Sequence, residues 1–278
     1  MSTLLRGAPV AERLTLDLSR RSAALRHRGV IPALAILRIG SSPGDLAYEK
    51  SAAARCAKCG IEVRHLSWDS AAPLADAIRA VNGDPSIHGC LLLRPLADRA
   101  AEAAAGQLLS PDKDVDGMTP GSLAGLLTGR GGFAPCTAQA CLELLDYYGV
   151  PLAGRRAVVV GRSLVVGQPA ALLLQRRNAT VTVCHTGTRD IPALCREADV
   201  LIAAAGCPGL ITADCLRPGQ TVLDVGVHPD PDGTLCGDVS PEAAALDVAL
   251  TPVPGGVGSV TSAVLCKHTI EAAEKTLQ

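Results

Sequence analysis

The stretch AVVVGRSLVVGQP, residues 157–169, decides how this chain folds. Apolar residues run unbroken into Gly161, five residues separate that glycine from Gly167, and the helix-forming run PAALLLQRR follows. A strand with no polar alternation is apolar on both faces, so it belongs inside a parallel sheet covered by helices on both sides. The sequence DVLIAAAG at 199–206 has the same character. Around this pair the pattern predicts a helix over 167–177, strands at 180–184, 200–205, 221–225 and 248–251, and a helix over 191–198.

The N-terminal half repeats the alternation. Helices are expected over 9–27, through Tyr48 and over 73–81, with strands at 33–39, 61–67 and 87–93. The fold class is therefore α/β, with two doubly wound domains. The Gly- and Pro-rich stretch 111–132 and the stretch 251–259 are the expected crossings, and a final helix over 259–276 is expected to return to the first domain. The expected division is 1–136 with 257–278 in one domain and 137–256 in a second, Rossmann-like domain. Ligands of such folds lie at the carboxyl ends of the strands, and a cleft between the domains is the expected place.

With 278 residues, 48% of them apolar, the chain is long enough to bury a large core. Its net charge of -1 comes from interspersed residues, with no basic face to neutralise a nucleic-acid backbone, so no nucleic-acid partner is expected. The stretch MSTLLRGAPVAERL lacks the apolar centre of a secretory signal, and no run reaches the length of a membrane span. A cytoplasmic protein with no membrane association is expected. The eleven cysteines are scattered through elements, which favours reduced, buried thiols. Cys56 and Cys59 form a lone CxxC inside a predicted helix, with no further ligands to complete a zinc site, so no metal is expected. DKDVDG at 112–117 begins like a calcium loop, yet its twelfth position is Leu123 instead of a bidentate glutamate.

The Gly161–Gly167 turn suits a dinucleotide: glycine lets the backbone approach a pyrophosphate, and the amides at a helix start favour negative charge. An NAD site usually adds a carboxylate after the second strand to hold the ribose hydroxyls. Here that strand runs into Cys184, His185, Thr186 and Gly187, with no carboxylate before Asp190. Arg162, Thr186 and Arg189 instead suit a ribose phosphate, which favours NADP over NAD.

PDKDVDG (111–117), PCT (135–137), VVVGRSLVVGQP (158–169), DVG (224–226), GDV (237–239) and TPVPGGVGSVT (251–261) together resemble the methylenetetrahydrofolate dehydrogenase/cyclohydrolase family, in the same order over nearly the whole chain. The resemblance implies hydride transfer from 5,10-methylenetetrahydrofolate to NADP, and hydrolysis of the methenyl product to 10-formyltetrahydrofolate. It also implies a homodimer and tetrahydrofolate one-carbon derivatives as ligands. Tyr48 matches the tyrosine lining the folate cleft, Asp116 the carboxylate that grips the pterin ring, and Pro254, Gly255 and Gly256 the turn that closes over it. Gly161, Arg162, Ser163, Gly167, Thr186 and Val227 match the dinucleotide contacts.

The chain departs from the family at two positions. The family carries lysine four residues after the tyrosine, where this chain has Ala52, and glutamine two residues before the proline of IHGCLLLRPL (87–96), where it has Leu93. Hydride transfer chiefly needs two ligands aligned and water excluded. Hydrolysis needs water activated and protons moved, the work of a lysine with a tuned pKa. The expectation is a dehydrogenase with weak or absent cyclohydrolase activity, accompanied by a separate cyclohydrolase in the same cell. The alternatives are a bifunctional enzyme in which Lys50, Arg94 or a water replaces the lost pair, and a non-catalytic folate- or nucleotide-binding regulator.

Overall fold

Strands buried on both faces form the centre of each sheet. The computed structural model describes residues 3–229 and 232–277. In chain order the strands are β1 (Thr3–Leu4), β2 (Ala33–Ile39), β3 (Glu62–Trp68), β4 (Gly89–Leu92), β5 (Arg156–Val160), β6 (Thr180–Cys184), β7 (Val200–Ala203), β8 (Thr221–Asp224), β9 (His228–Pro229), β10 (Leu235–Cys236) and β11 (Ala249–Leu250). The helices are α1 (Gly7–His27), α2 (Pro43–Lys58), α3 (Leu74–Gly83), α4 (Arg99–Leu108), α5 (Pro120–Thr128), α6 (Cys136–Tyr147), α7 (Gly167–Arg176), α8 (Ile191–Glu197), α9 (Pro241–Ala244) and α10 (Gly258–Lys275).

The chain divides into two units, Glu12–Cys136 with Ser262–Gln278 and Met1–Ala11 with Thr137–Thr261. The first is built on a three-stranded parallel sheet in the order β3-β2-β4. Central β2 is buried from Ala33 to Leu37, whereas edge strand β3 alternates between partly buried and exposed residues, as an edge facing water must. The core beside it gathers Leu74, Ile78 and Val81 of α3 with Leu37, Leu92 and Leu96. Each such side chain is worth roughly 1.5–3 kcal/mol when removed from water.

The second unit carries a six-stranded parallel sheet, β1-β11-β8-β7-β5-β6, with a small antiparallel pair β9-β10 beside it. From β5 the chain goes to β6 at one edge and then to β7 on the other side of β5, which makes the carboxyl ends of β5 and β7 the switch point where such folds bind ligands.

Three expectations are corrected. Thr3–Leu4 pairs with β11, so residues up to Ala11 belong with the six-stranded unit and not with the first domain. A two-residue strand carries no periodic signal, and only its partner makes it one. The stretch 111–132 is not a bare crossing, because it contains α5. Thr119 accepts from the Ser122 amide, Pro120 opens the helix and left-handed Gly129 ends it, so its start and stop residues outweigh its Gly and Pro content. The chain passes between units at 11–12, 136–137 and 261–262, not within the two expected stretches. Helices α4 and α6 lie where the sequence pattern predicts no element.

Candidate active site

In the three-stranded unit, Ser42 caps α2 by accepting from the Asp45 amide (3.1 Å), and Pro43 opens it. Tyr48 and Ala52 are one turn apart and so share a face. Tyr48 is 39% exposed and Ala52 1%. The rotation of α2 is fixed by buried Glu49, which accepts from Arg38 (2.7 Å) and pairs with His65 (2.6 Å). Burial opposes its charge, but His65 and Arg38 together hold Glu49 below the usual carboxylate range. Lys50 is exposed.

In the DKDVDG loop, Lys113 and Asp114 are spent on structure. Lys113 donates to the carbonyls of Val81 and Asp84 (2.6 Å each), anchoring the loop to the end of α3. Asp114 is fully buried and accepts from the amides of Met118 (3.0 Å) and Thr119 (2.7 Å). Gly117 has φ 68°, and a Cβ there would lie 2.5 Å from the Pro135 nitrogen, so the turn admits only glycine. The Val115 carbonyl accepts from His268 Nδ1 (2.8 Å) and the Cys136 thiol (3.2 Å). Asp116 takes no part in these scaffold bonds, and Asp112 is exposed.

Burial pushes the Asp116 carboxyl up to about 6, with Arg94 opposing the rise and Asp114 adding to it. Arg94 Nη2 stands 3.6 Å from Asp116, and Arg94 Nη1 stands 4.0 Å from Glu102. The Tyr48 hydroxyl is raised well above its ordinary range, first by burial and then by the charge of Asp116. Although the residue keeps a third of its surface open, its phenol is therefore neutral, and the structure brings Tyr48 and Asp116 to one place. Leu93 is 5% exposed, and its amide donates to the Leu37 carbonyl (2.9 Å). The substituted positions Ala52 and Leu93 are thus both buried and apolar.

Cys56 and Cys59, the CxxC pair, close α2 as buried thiols against Cys266 of α10, with Cys56 Sγ 3.7 Å from Cys266 Sγ. All eleven cysteines are free. Among the described residues, no group of three His, Cys, Asp or Glu is placed to hold a metal ion, and no helix is long and apolar enough to cross a membrane.

In the six-stranded unit, the turn after β5 packs without room for side chains. A Cβ at Gly161 would lie 2.0 Å from the Ala204 carbonyl oxygen, and one at Gly167 would lie 2.1 Å from the Gly161 carbonyl oxygen. The start of α7 is thereby pressed against the end of β5. Ser163 accepts from the amides of Val166 (3.1 Å) and Gly167 (3.5 Å), so its hydroxyl shapes the turn. Arg162 is exposed at the head of that turn. The Gly161 amide donates to the Cys184 carbonyl (2.9 Å), so the end of β6 and the turn that follows it lie beside the loop. In that turn the Thr188 hydroxyl accepts from the His185 amide, while Thr186 and Arg189 are exposed. The nearest carboxylate, Asp190, is engaged in capping α8. A glycine cradle that a Cβ would fill, with exposed cations and no free acid, fits a phosphorylated dinucleotide.

Val227 and Pro254–Gly255–Gly256 line one cavity of about 240 Å³, together with Asp224 and Ser259. Two carboxylates that the sequence shows only as motif letters hold these loops. Asp224 accepts from the amides of Gly226 (3.1 Å), Asp238 (2.9 Å) and Val239 (2.9 Å). Asp238 accepts from Ala205 (2.6 Å), Gly206 (3.0 Å) and Cys207 (3.0 Å) and pairs with His228 (2.8 Å). Burial pushes Asp224 up to about 6, opposed by those amides. The DVG and GDV motifs were the available signal; the partners of each aspartate were not.

Residues 5–116 match the family described as tetrahydrofolate dehydrogenase/cyclohydrolase, catalytic domain, and residues 135–277 match its NAD(P)-binding domain. The bifunctional protein FolD of Carboxydothermus hydrogenoformans is 44% identical over 281 residues, covering 99% of this chain and 98% of its own. Among solved structures, the bifunctional FolD methylenetetrahydrofolate dehydrogenase/cyclohydrolase of Campylobacter jejuni superposes with a TM-score of 0.93 at 36% identity, covering 99% of this chain and all of the other. The Trypanosoma brucei methylenetetrahydrofolate dehydrogenase-cyclohydrolase, solved with NADP and an inhibitor, gives 0.91 at 32% identity, covering 100% of this chain and 99% of the other.

Proposed function

Since the chain belongs to the tetrahydrofolate dehydrogenase/cyclohydrolase family, we propose that it oxidises 5,10-methylenetetrahydrofolate with NADP and hydrolyses the methenyl product weakly or not at all. The observation that carries the reading is the burial of apolar Ala52 and Leu93 at the two positions where the family pattern has lysine and glutamine, beside an intact Tyr48 and Asp116.

Asp116 accepts hydrogen bonds from the donors of the reduced pterin ring, and the neutral Tyr48 phenol lines the same place, so the ring is oriented without an ionisable amine. When bound, the nicotinamide supplies the hydride acceptor. The Gly161–Gly167 turn and the α7 amides hold its pyrophosphate, and Arg162 with Thr186 takes a ribose phosphate, which favours NADP. Val227, Pro254, Gly255 and Gly256 border a cavity of the six-stranded unit. Oxidation of this kind needs alignment and dryness, since a folate nitrogen's lone pair drives the hydride out. Hydrolysis needs a group that takes a proton from water, commonly worth 10²- to 10⁴-fold. Lys50 and Lys58, the lysines nearest Ala52 in sequence, are both exposed, and Lys113 is held on two carbonyls. Alanine and leucine exchange no proton.

The competing reading keeps both activities, and the bifunctional names of the relatives favour it. Purified protein assayed for methylenetetrahydrofolate oxidation with NADP and with NAD, and for methenyl opening against the spontaneous rate, separates the two. Opening at a rate comparable with oxidation overturns the single-activity reading. A homodimer and a separate cyclohydrolase in the same cytoplasm complete the proposal; the first is checked by light scattering.

A further inference from the structure

Arg94 lies two residues past the end of β4 and points its guanidinium between two carboxylates, Asp116 at 3.6 Å and Glu102 at 4.0 Å. Glu102 is held in turn, since it accepts from the Leu96 amide (2.7 Å) and pairs with Arg99 (3.4 Å). The cation is therefore anchored from behind and presented to Asp116 from one side. The other groups around Asp116 are Asp114 in its own loop, Tyr48 on α2 and Cys136 at the start of α6. Asp114 repels its charge, and the neutral phenol and thiol add none. Among these neighbours Arg94 is the sole cation.

We propose that Arg94 is the positioning residue for Asp116: it fixes the carboxylate and keeps it ionised, so that both oxygens accept from the donors of the reduced pterin ring. This rests on the assignment of Asp116 to the folate. A buried carboxylate beside a second one takes up a proton unless an opposite charge opposes it, and a protonated carboxyl offers one acceptor fewer. The residue type also fits the single-activity reading. A guanidinium does not lose its proton near neutral pH, so Arg94 supplies charge where the family has an amine nearby, but takes no proton from water.

The test is the pH profile of kcat/KM for methylenetetrahydrofolate at saturating NADP, between pH 5.5 and 9. An opposite charge at this distance lowers a carboxylate pKa by about 1–3 units. In Arg94→Leu the acidic limb should therefore move up by about one unit or more. For a rise of one to two units from about 6, the variant should lose about two- to tenfold at pH 7, recovering to near the wild-type value by pH 9. Arg94→Lys, which keeps the charge, should stay close to the wild-type profile. A limb that does not move in Arg94→Leu, whether activity is unchanged or uniformly lowered, overturns the inference. Should that variant fail to fold by circular dichroism, Arg94→Gln carries the same test. Asp116→Asn separates the two claims. If its KM for the folate is unchanged, the assignment of Asp116 fails; if its KM rises while the Arg94→Leu limb is unmoved, only the role of Arg94 fails.

Discussion

Replacing Asp238 with alanine removes four hydrogen bonds at once. Its carboxylate is 0% exposed and accepts from the amides of Ala205, Gly206 and Cys207 and from His228 Nε2. A buried donor left without a partner costs about 1–3 kcal/mol, and water entering the vacated space recovers part of it, so a net loss of about 4 kcal/mol is expected. For a chain of this size that corresponds to a fall in Tm of roughly 8–16 °C. His228→Ala removes one of the four bonds, from a side chain that is still 19% exposed, and should cost about 1 kcal/mol, or roughly 2–4 °C. The assay is thermal unfolding followed by circular dichroism for both variants, with the KM for NADP measured well below the transition. Ala205 and Gly206 follow β7 at the switch point, so Asp238→Ala should also weaken NADP binding. A fall in Tm of less than about 3 °C, or a His228→Ala effect as large as that of Asp238→Ala, would refute the view that this one carboxylate ties the loops together.

Three further outcomes are expected. Ala52→Lys with Leu93→Gln should raise methenyl opening by about 10²-fold or more above the parent chain, and an unchanged rate in the folded variant counts against the single-activity reading. Gly167→Ala should abolish NADP binding by calorimetry, because the new methyl meets the Gly161 carbonyl at 2.1 Å; wild-type affinity would show that the turn yields easily. Asp116 has a folded pKa raised to about 6, so it favours the folded state below the unfolded carboxylate value of about 4, and that contribution is lost as pH rises through 6. Asp116→Asn should accordingly raise Tm at pH 8, with the gain shrinking toward pH 5. A gain independent of pH would contradict the assignment of the shift to this carboxyl.

The central strands of both sheets were legible because burial on both faces leaves a continuous apolar run, as AVVV at 157–160 and VLIA at 200–203 show. The glycine spacing after β5 was legible for a similar reason, since close backbone approach admits one residue type. The resemblance to the family singled out Tyr48, Asp116 and the 254–256 turn as expected contacts, a role that no local pattern of residues carries. The helix α5 was hidden because its start and stop signals sit within a stretch whose composition reads as loop.

The sequence by itself determined the parallel α/β class, the dinucleotide turn and the absence of lysine and glutamine at positions 52 and 93, because each follows from local residue type and spacing. Only the tertiary structure decided which aspartates support the scaffold and which one stands beside a cation instead. Asp114 and Asp116 are two residues apart, yet one is enclosed by its own loop's amides and the other stands against Arg94. Likewise β1 exists only through β11, and Asp224 and Asp238 act through amides far along the chain. A carboxylate's role is set by the donors and charges that folding brings within about 4 Å of it, and those neighbours are remote in sequence.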